Sequence, residues 1–266
     1  MSRVSNIFQK VREMDEKLLS VFVTAGYPHL ESAPELVWQL EESGADLIEI
    51  GIPFSDPTAD GPTIQHSSKI ALENGMNLNL ALKQIRTIRK KSEIPIVLMG
   101  YLNPILKYGF DRFMEEVVES GVDGLIIPDL LPEELQTFNS KLNGSKLGMN
   151  FLISPNTPAA RIKKIDAATR DFIYCVSVTG VTGRRSGVSH GLIDFLHSVK
   201  SIITHPLLVG FGISNPEDAN EIGRNADGVI VGSAIIDLMT TSRGDQNMLN
   251  SVGRFVQRLK FALQGD

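Results

Sequence analysis

Two hydrophobic rhythms alternate along this chain. Short apolar runs occupy residues 18–24, 47–50, 94–99, 125–127, 150–153, 172–178, 207–209 and 228–231, each rich in Val, Ile, Leu or Phe and bounded by Gly or Pro. Continuous apolar runs of this length predict strands buried on both faces, as in a parallel sheet. Between them the apolar positions recur at helical spacing: Leu36, Val37 and Leu40; Phe110, Phe113, Met114, Val117 and Val118; Leu192, Phe195, Leu196 and Val199. Pro132, Pro158 and Pro216 stand where first-turn prolines are tolerated. Ile7, Phe8, Val11 and Met14 predict an extra N-terminal helix, and the spacing from Met248 to Leu263 predicts a long closing one.

Strands alternating with helices imply parallel strands joined by right-handed crossovers. An open doubly wound sheet competes with a closed barrel. Eight units in a chain of 266 residues favour the (β/α)8 TIM barrel, read as one domain over residues 1–266. In such a barrel the chemistry lies in the loops after the strands.

The second run leads into Glu49-Ile50-Gly51-Ile52-Pro53-Phe54-Ser55-Asp56-Pro57-Thr58-Ala59-Asp60-Gly61-Pro62. Glu49 interrupts an apolar strand, and alternation points it opposite to Ile48 and Ile50. A lumenal carboxylate would be desolvated and its pKa raised toward the working pH, as general acid/base chemistry needs. A structural carboxylate paired to a neighbouring strand fits the residues equally well. Asp60, eleven residues on, puts a second carboxylate on the same loop; alone, Asp-Gly-Pro reads as a turn. Tyr101 and Asn103 follow the third run, either as pocket residues or as ordinary loop, and Asp129 follows the fourth as a partner for another rim loop. The sixth run carries Tyr174 and then a long Gly-rich loop with Thr182, Gly183, Arg184 and Arg185, whose composition fits a lid or a plain surface loop. Gly210-Phe211-Gly212 and Gly232-Ser233 follow the seventh and eighth runs. Glycines there let backbone N–H groups and a helix start approach an anion, at the usual phosphate site of such barrels.

Composition narrows the field. A net charge of −5 lacks the basic footprint of a nucleic-acid binder. The lone Cys175 excludes a disulfide framework and fits a reduced, cytoplasmic setting. No apolar run approaches a membrane span, and the N-terminus carries no apolar signal core. The five histidines lack ligand spacing, so no metal is expected.

The segment from Leu47 to Pro62 closely resembles the signature of the tryptophan synthase alpha chain family. Phe22-Val23-Thr24-Ala25-Gly26-Tyr27-Pro28, Gly100-Tyr101-Leu102-Asn103-Pro104, Pro128-Asp129-Leu130, Gly180-Val181-Thr182-Gly183 and Gly210-Phe211-Gly212-Ile213 resemble it too, in order over nearly the whole chain. Thr58, where the family usually has an aliphatic residue, is a departure that leaves both carboxylates in place. The resemblance implies retro-aldol cleavage of indole-3-glycerol phosphate to indole and glyceraldehyde 3-phosphate. It implies Glu49 as acid/base and Asp60 as acceptor of the indole N–H. It implies substrate contacts from Phe22, Tyr101, Tyr174 and Thr182, and a phosphate site at Gly183, Gly212, Gly232 and Ser233. It also implies an αββα assembly in which a beta chain, holder of the pyridoxal phosphate, takes the indole while this chain binds no cofactor. Asp56, Pro57, Asn103 and Pro132 would face that partner. A stand-alone lyase and a silent phosphate-binding regulatory barrel are the alternatives.

Overall fold

The computed structural model describes residues 2–135, 147–176, 190–210, 212–242 and 244–264. Its strands are β1 (Leu18–Thr24), β2 (Leu47–Gly51), β3 (Ile96–Met99), β4 (Gly124–Ile126), β5 (Gly148–Asn150), β6 (Leu152–Ile153), β7 (Ile173–Val176), β8 (Leu207–Gly210) and β9 (Gly228–Val231). All pairings are parallel, in the order β5-β4-β3-β2-β1-β9-β8-β7-β6. The two ends of that series, β5 and β6, are separated in the chain by Phe151 alone, so the sheet closes into a barrel through them. The single fifth strand expected over residues 150–153 is therefore two shorter segments, one pairing with β4 and the other with β7. The sixth, expected over 172–178, is assigned at Ile173–Val176, and residues 177–189 lie outside those described.

Side-chain parity divides the interior into two cores. Leu18, Leu47, Val97, Ile126, Phe172, Leu208 and Ile230 point into the lumen and pack together. Leu19, Val21, Ile48, Ile50, Ile96 and Val229 point outward, onto the helices. The bottom of the lumen is closed by α1 (Arg3–Glu13), whose Val4, Phe8 and Val11 join the lumenal cluster. Phe8 meets Phe172 with ring centroids 6.0 Å apart. Below the strands, Asp123 accepts hydrogen bonds from Arg89 Nη2 (2.8 Å), Arg3 Nη1 (3.1 Å) and the Ile96 N–H (2.9 Å), so this buried carboxylate is fully paired where α1 joins the barrel.

The outer helices that matter for the site are α2 (Ala33–Glu42), α3 (Pro62–Glu73), α4 (Leu78–Ile88), α5 (Leu102–Tyr108), α6 (Phe110–Ser120), α7 (Ala159–Ala168), α8 (His190–Lys200), α9 (Pro216–Gly223), α10 (Ser233–Thr241) and the closing α11 (Asp245–Ala262). Pro216 begins its helix as expected, whereas Pro158 is the cap residue just before α7, one place outside it. Beyond Pro132 there is a turn, and residues 136–146 lie outside those described. The sequence reading missed α3 because its buried face is Ser67, Ser68 and Ala71. These small residues let the helix approach β1, and the Thr24 and Ser67 hydroxyls lie 2.7 Å apart. No helix among the described residues is long and apolar enough to cross a membrane.

Phe8→Ala removes a 6 % exposed ring from the floor of the lumen. It is expected to cost about 3–5 kcal/mol of unfolding free energy, read as a lower urea midpoint at unchanged slope. A loss under ~0.5 kcal/mol would mean that α1 does not close the barrel in solution.

Candidate active site

Parity settles which way Glu49 points. Leu47, two residues earlier, is lumenal and the flanking Ile48 and Ile50 are not, so Glu49 enters the lumen. It lies level with Phe22 of β1 and is 0 % exposed. Its Oε1 accepts a hydrogen bond from the Ser20 hydroxyl at 2.8 Å, while Oε2 is buried without a partner among the described residues. Among the described residues no cation stands beside it. Desolvation therefore dominates, and the carboxyl is pushed up to about 8, the Ser20 hydrogen bond offsetting only part of the rise. At neutral pH Glu49 is thus a protonated acid.

Asp60 stands on the loop between β2 and α3, with its N–H bonded to the Pro57 carbonyl at 3.1 Å. Tyr101 braces it from behind: its hydroxyl accepts the Ala59 N–H at 3.0 Å and donates to the Asp60 carboxylate. Phe54 packs on the Tyr101 ring at 5.3 Å between centroids. Burial pushes Asp60 up to about 6, with the Tyr101 hydrogen bond pulling the other way. Two carboxyls, one on β2 and one on the loop that follows it, are thereby held in opposite states near pH 7, one protonated and one ionised. Such a split is what separates an acid from an acceptor.

Above Glu49 opens a cavity of about 360 Å³ at the C-terminal mouth of the barrel. Phe22, Met99, Leu152, Tyr174 and Ile230 make its apolar floor, and Asp60 with Ile64 forms one wall. The Tyr174 hydroxyl is held far above its ordinary pKa by burial and by the nearby Glu49 and Asp60 charges. It stays a neutral phenol. Glycine makes room for both aromatic rings. A Cβ at Gly51 would come within 2.4 Å of Phe22 Cζ, and one at Gly210 within 2.3 Å of the Tyr174 hydroxyl oxygen.

The opposite wall is Gly212, Ile213, Gly232, Ser233 and Ala234. Gly212 takes a φ of +78°, a conformation open to glycine. Two helices start at this rim, and they differ. At α9 the first residue, Pro216, brings no N–H, and Asn215 Oδ1 caps the Asp218 N–H at 2.8 Å, while the Asp218 carboxylate accepts from the Ser214 N–H and hydroxyl just before the helix. At α10 the cap position is Gly232, with no side chain to offer, so the leading N–H groups of Ser233 and Ala234 face the cavity. Free N–H groups at the positive end of a helix dipole are suited to an anion. Among the described residues the cavity wall carries the carboxylates Asp60 and Asp237 and no basic side chain.

The structure thus brings Phe22, Asp60, Tyr174, Gly212, Gly232 and Ser233 onto one cavity. Tyr101 stands behind Asp60 instead of on the wall, and Glu49 lies below the floor. Thr182, Gly183, Arg184, Arg185 and Phe211 lie outside the described residues. Asp129 accepts the Leu102 N–H at 2.9 Å, tying the fourth rim loop to the third as expected. Met99, Leu152, Ile230 and Ile64 were not singled out from the sequence, since apolar strand and helix residues read as core. The parity that aims Glu49 inward would also have found Met99, which is level with Gly51 on the neighbouring strand. Among the described residues no three His, Cys, Asp or Glu side chains are grouped as metal ligands would be.

Comparison with known proteins agrees with this geometry. The family model described as tryptophan synthase alpha chain matches residues 8–264. The tryptophan synthase alpha chain of Geotalea uraniireducens is 45% identical over 260 residues, spanning 98% of this chain and 97% of its own. That of Pelobacter propionicus is 42% identical over 265 residues, spanning 100% and 99%. Among solved structures, a tryptophan synthase alpha chain from Legionella pneumophila superposes with a TM-score of 0.90 at 36% identity, covering 99% of this chain and 97% of that one. A chain of tryptophan synthase from M. tuberculosis, in an aminoacrylate- and BRD0059-bound form, does so at 0.89 and 30% identity, covering 100% and 99%. Matched by that family model over residues 8–264 and by these relatives over essentially its full length, the chain belongs to the tryptophan synthase alpha chain family.

Proposed function

We propose that this chain cleaves indole-3-glycerol phosphate to indole and glyceraldehyde 3-phosphate, with Glu49 as acid/base and Asp60 as the acceptor of the indole N–H. The observation that carries the assignment of roles is the opposite protonation of two carboxyls beside one apolar cavity whose far wall is an uncapped helix start.

The substrate is an aromatic ring joined to a phosphate by a short hydroxylated chain, and the cavity is built in the same order. The phosphate takes the N–H groups of Ser233 and Ala234 beside Gly212 and Gly232. The ring lies on Phe22, Tyr174, Met99 and Leu152, its N–H toward Asp60. Protonated Glu49 delivers its proton to indole C3. The ring becomes a cationic indolenine, and the ionised Asp60 stabilises it through the N–H. The resulting Glu49 carboxylate then takes the proton from the hydroxyl on the carbon attached to C3. That oxygen becomes the aldehyde carbonyl as the C3–carbon bond breaks, and the bond's electron pair restores the indole. Glu49 ends protonated, as it began, and nothing is oxidised or reduced. Neutral Tyr174 keeps a charge from forming on the floor of the cavity. In the proposed assembly the indole passes to a beta chain that holds pyridoxal phosphate, across the rim loops of Asp56, Pro57, Asn103 and Pro132. Leu106 and Leu131, 49% and 53% exposed beside those loops, fit a surface that a partner covers. This chain's residues need only the acid, the acceptor and the anion seat.

Three outcomes test this reading. Glu49→Gln keeps the shape and removes the acid, so indole release followed spectroscopically should fall by roughly 10²–10⁴-fold with KM little changed; turnover near the parent rate would refute the assignment. The reaction requires Asp60 ionised, above about 6, and Glu49 protonated, below about 8. The free-enzyme kcat/KM should therefore be bell-shaped with its maximum near neutrality, and Asp60→Asn should flatten the acidic limb while lowering the plateau. An acidic limb of unchanged position and steepness in that variant would remove Asp60 from the role. Finally, a purified beta chain should raise the rate of indole formation; equal turnover with and without it would favour the stand-alone lyase.

A further inference from the structure

The Glu49 carboxyl does not line the cavity in which its proton is needed. Strand register explains where it has gone. Phe22 is level with Glu49, and Ser20 is level with Leu47, one lumenal layer nearer the floor. Ser20 shares the inward parity of Leu18 and Phe22 and is 0 % exposed. A carboxyl that reaches the Ser20 hydroxyl is therefore bent down the barrel, away from the mouth, below the cavity floor to which Phe22 belongs. Oε1 is engaged at 2.8 Å and Oε2 is left bare. Among the described residues the polar groups shown to interact with it are Ser20 from β1 and the Tyr174 phenol from β7.

We propose that Ser20 is a positioning residue of the reaction, holding the Glu49 carboxyl in a resting place below the cavity from which it must be released to reach indole C3. The inference rests on the reading of Glu49 as the acid. It assigns to Ser20 a function beyond filling space. The hydroxyl supplies the one hydrogen bond that the Glu49 carboxyl makes among the described residues, and that bond is given up for substrate when the side chain turns upward. Ser20 also favours the ionised carboxyl, because a hydroxyl donates to a carboxylate more strongly than to a carboxylic acid.

The test compares Ser20→Ala and Ser20→Thr with the parent in the full chain, measuring kcat, KM and the pH profile of indole release. Without the hydroxyl, the resting place is weakened. The alanine variant should turn over severalfold faster at pH 7 with KM little changed, and its alkaline limb should move to higher pH by half a unit or more. Threonine keeps the hydroxyl and should restore the parent limb. An alkaline limb that stays in place in Ser20→Ala overturns the proposal, as does an alanine variant slowed tenfold or more, which would make Ser20 a plain packing residue or a direct participant. The Glu49→Gln control separates the two readings. If that variant remains active, the assignment of the acid has failed. If it is inactive and the Ser20→Ala profile is unmoved, only the role given to Ser20 has failed. A thermal melt of each variant checks folding, and infrared titration of the Glu49 carboxyl, identified by its loss in Glu49→Gln, reads the hydrogen bond without need of turnover. An identical titration in parent and Ser20→Ala likewise overturns the proposal.

Discussion

An ionisable carboxyl in an apolar lumen, without a cation, is the constraint on which the rest of this molecule turns. Removing a carboxylate from water costs several kcal/mol unless a charge or hydrogen bonds compensate it. Among the described residues Glu49 has one hydrogen bond, from Ser20, with the Tyr174 phenol nearby and apolar lumenal side chains around it, so the least costly state at neutral pH is the neutral acid. The same molecule shows the other solution at Asp123, where two guanidinium groups and a backbone N–H surround the carboxylate. The two acids have similar burial and opposite surroundings. One is a structural clasp, and the other is the proposed proton donor.

Much of the architecture serves to keep that lumen dry. The α1 helix covers its lower end with Val4, Phe8 and Val11, and successive lumenal layers of Leu18, Leu47, Val97 and Leu208 fill its middle. Rigid filling below means that the space above, at the mouth, is the place where a ligand fits. The asymmetry between the two helix starts then orients that ligand. Because α9 begins with Pro216 and a side-chain cap at Asn215, the start of α10 is the better seat for an anion, and the reading proposed above then turns the ring toward Asp60.

The amino-acid pattern made the barrel legible because its strands are buried on both faces, and continuous apolar runs survive in sequence without any knowledge of contacts. It made Glu49 visible for the same reason: a charge inside such a run stands out. Its direction stayed open until the neighbouring Leu47 was seen to pack in the lumen, since alternation fixes relative and not absolute facing. The division of the fifth strand at Phe151 left no mark, as one residue turned out of a ladder is a matter of local backbone and not of composition. The α3 helix was hidden for a different reason. Its contact face is built from serine and alanine, and a periodicity reading counts large apolar residues. Tyr101 read equally as a pocket residue or as ordinary loop, and Phe54 was not singled out. That one braces Asp60 and the other braces the brace follows from hydrogen bonds and ring contacts spanning loops far apart in sequence.

The glycines under the aromatic rings bear on how a chain of this kind can drift. Tyr174 occupies the volume that a side chain at residue 210 would fill, and Phe22 does the same at residue 51. Neither member of such a pair can change size alone. A methyl group at residue 210 displaces the phenol, and a smaller residue at 174 leaves a hole beside Gly210 in the floor. Substitutions tolerated elsewhere on the strands are therefore barred here unless two positions move together. The aromatic floor of the site is inherited as interlocked pairs, and its shape can persist while the outer faces of the same strands are rewritten around it.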